Sequence, residues 1–267
     1  MDKKRLIILA DFGLDDACAL AYILEYADRF EGIDIVCIAG NSPAKASLYN
    51  AQKLLLHYEG STKGIRLIRT DDFPQNCAML PSVHGKDGMG DLFPALSHVD
   101  ATDYAEWVKT LPKDAIILSL GPCTVTVDIL RRTSGYELIL MAGLTKAKPN
   151  FKGMEFNQAL DHASYRACLQ RSHKVATLDT CRTRSFNLAS RRFYGERMLY
   201  KLVNRANELA EIRHPDNSYI YDLITALYLI HPNFFQVRSI TDPWGNELNE
   251  LKCRDSSFSL AEYLQKH

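Results

Sequence analysis

The stretch that decides the fold is "RLIILADFGLDDACALAYIL", residues 5 to 24, where a short apolar run stops at Asp11, a glycine follows, and a second apolar pattern begins behind Asp15 and Asp16. Ala17, Leu20, Ala21 and Leu24 recur at i, i+3, i+4 and i+7, the spacing of one helix face. Leu6 to Ala10 is instead continuously apolar, as a strand buried on both faces must be. Asp11, Asp15 and Asp16 therefore gather at the junction of a strand and a helix. Two ionised carboxylates a few ångströms apart raise each other's pKa unless something positive sits between them. A metal ion, a shared proton or open solvent would each answer that repulsion.

Outward from this unit the alternation repeats. "IDIVCIAG" (33–40), "AKASLYNAQKLLLHYE" (44–59) and "GIRLIRT" (64–70) complete a βαβαβ pattern. "DAIILSLG" (114–121) leads into "TVTVDILRRT" (124–133), and "YELILMAG" (136–143) and "SHKVATLD" (172–179) read as further strands. Strands separated by helices imply a parallel sheet with right-handed crossovers. From about 183 to 235 the pattern is mostly helical, in "SRRFYGERMLYKLVNRANELAEIR" (190–213) and "NSYIYDLITALYLI" (217–230). Asn217 or Ser218 is expected to cap the second helix and to place Tyr221 and Asp222 in its first turn. One α/β domain spanning residues 1–267 is the expected organisation.

Composition narrows the partners. Hydrophobic residues are 46% and charged residues 24% of the 267, the balance of an ordinary globular chain. Lys plus Arg and Asp plus Glu number 32 each, so no global field draws the chain to nucleic acid or an anionic membrane, and a small, locally bound partner is expected. The 7 cysteines form no C-x-x-C and no zinc-like spacing with His, which suits reduced thiols. The apolar run before Asp11 is too short for a signal-peptide core or a membrane span, and a cytoplasmic location is expected.

In an open parallel sheet, ligands bind outside the carboxyl ends of the strands. Asp11 lies at such an end, as do "AGN" (39–41), "SLGPCT" (119–124) and "MAG" (141–143). Each alone reads as turn chemistry. Together with later segments they resemble the inosine-uridine preferring nucleoside hydrolase family, calcium-dependent N-ribohydrolases with a Rossmann-like sheet. "LADFGLDD" resembles the family's D-x-D-P-G-x-D-D, with Leu9 and Phe12 in place of the first Asp and the Pro. "AGN" with "YNAQKLL", "VHGKDGMGD", "LGPCT", "MEFNQALD", "LDTC" and "YDLITAL" follow in the family's order. The implied fold is α/β and Rossmann-like, a mostly parallel central sheet with helices on both faces and an added helical C-terminal region.

The resemblance implies a Ca²⁺ site made by Asp11, Asp16, the Leu120 carbonyl and Asp222, with Asp11 also the general base. Hard cations take six to eight oxygen ligands, which carboxylates and strand-end carbonyls supply. It implies that Asp15 holds the ribose 2'-hydroxyl, Asn41 and Asn157 the neighbouring sugar oxygens, and Glu155 with Asn157 the 3' and 5' side. Two further positions depart from the family. Pro149 stands where an Asn is usual, with Asn150 one residue late as the candidate for the 5'-hydroxyl, and Tyr221 stands where many members carry a proton-donating His. Tyr221 is expected to stack on the base, with His84 as a catalytic proton donor, while His214 and His231 lie off the motifs. Asn50 is expected to make a structural hydrogen bond.

The implied partner is a small-molecule ribonucleoside, with no nucleic acid and no membrane, and the implied assembly a homo-oligomer, dimer or tetramer. The implied reaction is hydrolysis to ribose and free base. The departures keep open a non-catalytic descendant that binds calcium and a ribosyl ligand. A haloacid-dehalogenase-like phosphatase is disfavoured, because "LADFGLDD" lacks the second Asp two residues after the first and the Thr of that motif.

Overall fold

The computed structural model describes residues 3–267 apart from 72, 74, 134 and 172, so Ser172, at the head of one expected strand segment, lies outside the described residues. The chain runs β1 (Arg5–Ala10), α1 (Leu14–Leu24), β2 (Ile33–Cys37), α2 (Ala44–His57), β3 (Ile65–Arg69), α3 (Pro81–His84), β4 (Thr102–Asp103), α4 (Tyr104–Trp107), β5 (Ala115–Ser119) and α5 (Thr124–Arg132). It continues through β6 (Glu137–Met141), α6 (Phe156–Leu160), α7 (His162–Leu169), β7 (His173–Ala176), α8 (Leu178–Cys181), α9 (Met198–Arg213), α10 (Tyr221–Ile230), β8 (Phe235–Thr241), β9 (Glu247–Cys253) and α11 (Leu260–Lys266).

β1 is apolar throughout because both of its faces are covered. Leu6, Ile8 and Ala10 enter the cluster packed by α1, α9 and α10, and Ile7 and Leu9 enter a second cluster with Val125 and Ile129 of α5. β1 pairs in parallel with β2 on one side and β5 on the other. The strand order is β4-β3-β2-β1-β5-β6-β7-β9-β8. The chain thus winds from β1 to one edge, returns, and winds to the other, which leaves a crevice where the carboxyl ends of β1 and β5 diverge. Asp11 and Leu120 sit at that switch point. Asp34 of β2 is buried and paired: Arg5, Arg66 and the Trp107 indole donate to it at 2.7 to 3.0 Å. Burial pushes its carboxyl up, but these donors outweigh burial and hold it below the ordinary range.

Three details differ from the sequence reading. The helix expected from Ser190 begins at Met198, because Gly195 adopts a φ of +129°, outside the helical region. Ser218 does not cap α10: its hydroxyl bonds Asn207 Oδ1 at 2.7 Å, and Ile220 occupies the cap position without a side-chain bond. The C-terminal region is not all helical, since β8 and β9 form an antiparallel hairpin that joins the sheet through β7. Its turn is fixed by Asp242 Oδ1, which accepts from the Trp244 and Asn246 amides at 2.9 and 2.8 Å. Asn50 bonds the Asp87 carbonyl at 2.9 Å, the structural role expected. All seven cysteines are free, and among the described residues no helix is long and apolar enough to cross a membrane.

The bend from β1 to α1 aims the acidic residues. Phe12 is fully buried there at a φ of +40°, left-handed backbone that a bulky residue rarely adopts. Proline, fixed near about −65°, cannot take this conformation, so the loss of the family's Pro matches the geometry. Phe12→Pro is therefore expected to destabilise the protein by roughly 2 kcal/mol or more in urea unfolding, beyond the loss in a Phe12→Leu control. A midpoint equal to that of the control rejects the assignment.

Candidate active site

The acidic cluster is assembled by two helix starts and one strand end. Gly13 precedes α1 and donates its amide to Asp16 Oδ2 at 2.8 Å, which holds Asp16 inward in the first turn. Asp222 lies in the first turn of α10, which packs along α1. Ligand atoms of Asp15, Asp16 and Asp222 come within 4.8 Å of one another. Asp11, at the end of β1, is fully buried and accepts from the Asn41 amide, with Asn41 Nδ2 3.4 Å from its other oxygen. Its negative charge acts on Asp16 and raises that carboxyl's pKa. The approach of the Asn41 amide to Asp11 requires glycine at 40, since a Cβ there would lie 2.0 Å from Asp11 Oδ2.

Burial pushes all three enclosed carboxyls up: Asp11 to about 7 from 3.8, and Asp16 and Asp222 well above their usual range, with charge repulsion from Asp15 adding to each. Asp15 Oδ1 and Asp16 Oδ1 are buried and without a hydrogen-bond partner among the described residues. Buried carboxylate oxygens lacking donors, clustered at ligand spacing with no Cys or His among them, fit a hard divalent cation rather than zinc. The set that converges at this spacing contains Asp15, which the resemblance gave to the sugar, while Asp11 is turned toward the Asn41 amide.

A cavity of about 670 Å³ opens onto this cluster. Asp15, Asn41, His84, Asn150, Glu155, Asn157, Tyr221 and Asp222 all line it, as does Leu120, so the residues singled out from the sequence converge except for the enclosed Asp11 and Asp16 behind its wall. Asn157 Nδ2 donates to the Leu120 and Met141 carbonyls at 2.8 and 2.9 Å, which leaves its Oδ1 for a ligand and the second lone pair of the Leu120 carbonyl free. Glu155 caps α6: its two oxygens accept from the Asn157, Gln158 and Gly143 amides at 2.9 to 3.0 Å. Burial pushes its carboxyl up to about 7 despite these donors. His84 Nδ1 accepts the Leu14 amide at 3.1 Å, so its proton sits on Nε2. Burial holds its pKa below the usual value, although Asp15 opposes this.

Sequence reasoning missed the cationic lining of Lys148, Arg182 and Arg213. Arg182 Nε donates to the Tyr221 hydroxyl at 3.1 Å with its guanidinium 5.8 Å above the ring, so the Tyr221 hydroxyl has a partner that stacking alone did not foresee. Arg182 directly follows "LDTC", a local signal; Arg213, at the end of α9, has none. Of the off-motif histidines, His214 lines the cavity and His231 is turned away to the Tyr263 hydroxyl.

Fold and site together define an α/β protein with a carboxylate-rich cavity at the strand ends, suited to a small ligand rich in hydroxyls. A family model, "Inosine-uridine preferring nucleoside hydrolase", matches residues 6–253. The chain belongs to that family of nucleoside N-ribohydrolases. Solved structures agree in fold. The purine-preferring ribonucleoside hydrolase from Gardnerella vaginalis superposes with a TM-score of 0.74 at 17% identity, over 98% of this chain and 96% of that one. A plant nucleoside hydrolase gives 0.69 at 19% identity, over 96% and 88%. An inosine-guanosine nucleoside hydrolase gives 0.67 at 18% identity, over 99% and 91%. No curated protein matches in sequence.

The raised carboxyls set a stability profile. A carboxyl whose folded pKa exceeds its unfolded value binds its proton more tightly when folded, so stability falls as pH rises through the interval between the two. For Asp11 that interval runs from 3.8 to about 7. Chelator-treated protein is expected to lose thermal stability as pH rises across that interval, and a divalent cation to restore it mainly at the upper end. A melting temperature that rises monotonically with pH without cation contradicts the unpaired-carboxylate picture.

Proposed function

We propose that this chain hydrolyses the N-glycosidic bond of ribonucleosides to ribose and free base, with Ca²⁺ held by Asp16, Asp222 and neighbouring oxygens of Asp11, Asp15 and Leu120. The observation that carries this reading is the convergence of buried, partnerless carboxylate oxygens beneath a nucleoside-sized cavity. The cation, when bound, supplies the positive charge that keeps these carboxyls ionised and makes a nearby water more acidic.

Asp11 accepts the proton of the attacking water. The Asn41 amide holds one oxygen of its carboxyl. Asp15 and the free Oδ1 atoms of Asn41 and Asn157 receive ribose hydroxyls, and Asn150 at the cavity rim takes the 5' end. Such contacts strengthen as the ring takes on oxocarbenium character, and that difference from the ground state is what lowers the barrier. Glu155 holds α6 and the strand ends in place through backbone amides, and its Oε1, which accepts only the Asn157 amide, keeps a lone pair for the 3' and 5' side of the sugar. Tyr221 packs against the base, and His84, which lines the cavity and carries its proton on Nε2, donates to it.

Purified protein given Ca²⁺ is expected to release ribose from inosine or another purine ribonucleoside, and Asp11→Asn to lower kcat about a hundredfold or more with the fold retained. Asp16→Ala is expected to lose calcium in a calorimetric titration. Calcium binding without ribose release from any purine or pyrimidine ribonucleoside would identify the non-catalytic reading instead. No calcium binding at all removes the cation from the site.

A further inference from the structure

The cavity that holds the carboxylates also carries arginines that lack an anionic partner. Arg213 is half-buried; its Nε donates to the Leu209 carbonyl at 3.2 Å, and among the described residues its terminal nitrogens have no hydrogen-bond partner and no carboxylate within 4.0 Å. Burial pushes its guanidinium down, and the more distant Tyr221 and Asp15 oppose this without pairing with it. Arg182 is fixed through two nitrogens, Nη1 on the Lys148 carbonyl at 2.6 Å and Nε on the Tyr221 hydroxyl at 3.1 Å, while Nη2 has no hydrogen-bond partner among the described residues. Elsewhere half-buried arginines find acids: Arg5 with Asp34, Arg197 with Glu25 and Arg192 with Glu211, at 2.6 to 2.8 Å. Each of the two cavity arginines is held in place by neutral oxygens and keeps terminal N–H groups without an acceptor among the described residues.

A guanidinium presents a planar fork that matches carboxylate, phosphate or an ionised heterocycle. The carboxylates and amides beneath it suit sugar hydroxyls and provide no partner for such a group. We propose that the site selects a ribosyl compound bearing an anionic group, an acidic base or a phosphate ester, which Arg213 and Arg182 receive. This rests on the nucleoside-hydrolase reading and adds the substrate's charge to it.

The test compares inosine, xanthosine, whose base ionises near neutral pH, and inosine 5'-phosphate, in the calcium-loaded protein at fixed ionic strength. Wild type is expected to favour one anionic compound over inosine by about tenfold or more in kcat/KM, and Arg213→Gln to cut that ratio about tenfold, with Arg213→Lys recovering part of it. Arg182→Gln, at a partly exposed side chain, provides a second variant if Arg213→Gln does not fold. A preference confined to xanthosine assigns the anion to the base, and one confined to inosine 5'-phosphate assigns it to the phosphate. Equal turnover of all three, with both variants changing them alike, overturns the proposal and leaves nucleoside hydrolysis standing. If none is cleaved, calorimetry with the same compounds decides. Tighter binding of an anionic compound, weakened about tenfold in Arg213→Gln, supports the proposal, and equal affinities overturn it.

Discussion

The structure is organised around carboxylates buried without a protein cation to balance them. Asp34 shows the ordinary solution in the same sheet: two arginines and an indole surround it, and its pKa falls. Asp11, Asp16 and Asp222 are equally inaccessible but face one another, and their pKa values rise. An uncompensated buried charge costs several kcal/mol, so a chain that keeps three of them at one switch point is built for something that supplies the missing positive charge. The surrounding geometry serves that cluster. Gly40 lets the Asn41 amide reach Asp11, and Gly13 leaves room for Asp15, Asn41 and His84, to which a Cβ would come within 2.8 Å.

Around the cluster, fixed polar groups tie separate elements together. Asn157 spends both protons of its amide on the ends of β5 and β6, through the Leu120 and Met141 carbonyls. Glu155 gathers amides from α6 and from Gly143 beyond β6, so one buried carboxyl joins a strand end to a helix start. His84, the last residue of α3, ties that helix to the first turn of α1. Each bond satisfies a backbone group that burial would otherwise leave unpaired, and each removes freedom from a residue facing the ligand. Rigid walls and an electrostatically unfinished floor are the combination expected of a preorganised site.

Most of the sheet was legible because its strands are buried on both faces, which gives β1, β5 and β6 apolar interiors and leaves Asp34 as the one polar residue within β2. The β8–β9 hairpin was not, because β8 is largely exposed and its sequence carries no apolar alternation; only the D-P-W-G-N turn announces it. The carboxylates were legible because charge density at a strand end is a local signal, and the family motifs extended it to Asp222, Asn157 and His84. The division of labour within the cluster was not. Which of four aspartates faces which depends on how α10 packs along α1, a contact between residues some two hundred positions apart. Arg213 was invisible for a similar reason: periodicity identifies a helix face, and only the tertiary fold shows that the last turn of α9 ends at the cavity.

The departures from the family pattern become coherent once placed. Leu9 faces the apolar cluster under α5, where an ionised Asp would be buried without a partner, so its replacement by leucine removes a polar demand from the core. Phe12 occupies a left-handed turn closed to proline and fills the core beneath it. Tyr221, at the start of α10, receives a hydrogen bond from Arg182, and Arg182 is in turn braced on the Lys148 carbonyl next to Pro149. A change at 221 is thus mechanically linked to the segment that carries the change at 149. The cluster that the resemblance assigns to metal and sugar keeps Asp11, Asp15, Asp16 and Asp222, while the differences fall on the core behind it and on the wall facing the rest of the ligand. By the resemblance, such a partition keeps the residues given to the metal and the 2'-hydroxyl and alters those given to the 5' end and the base.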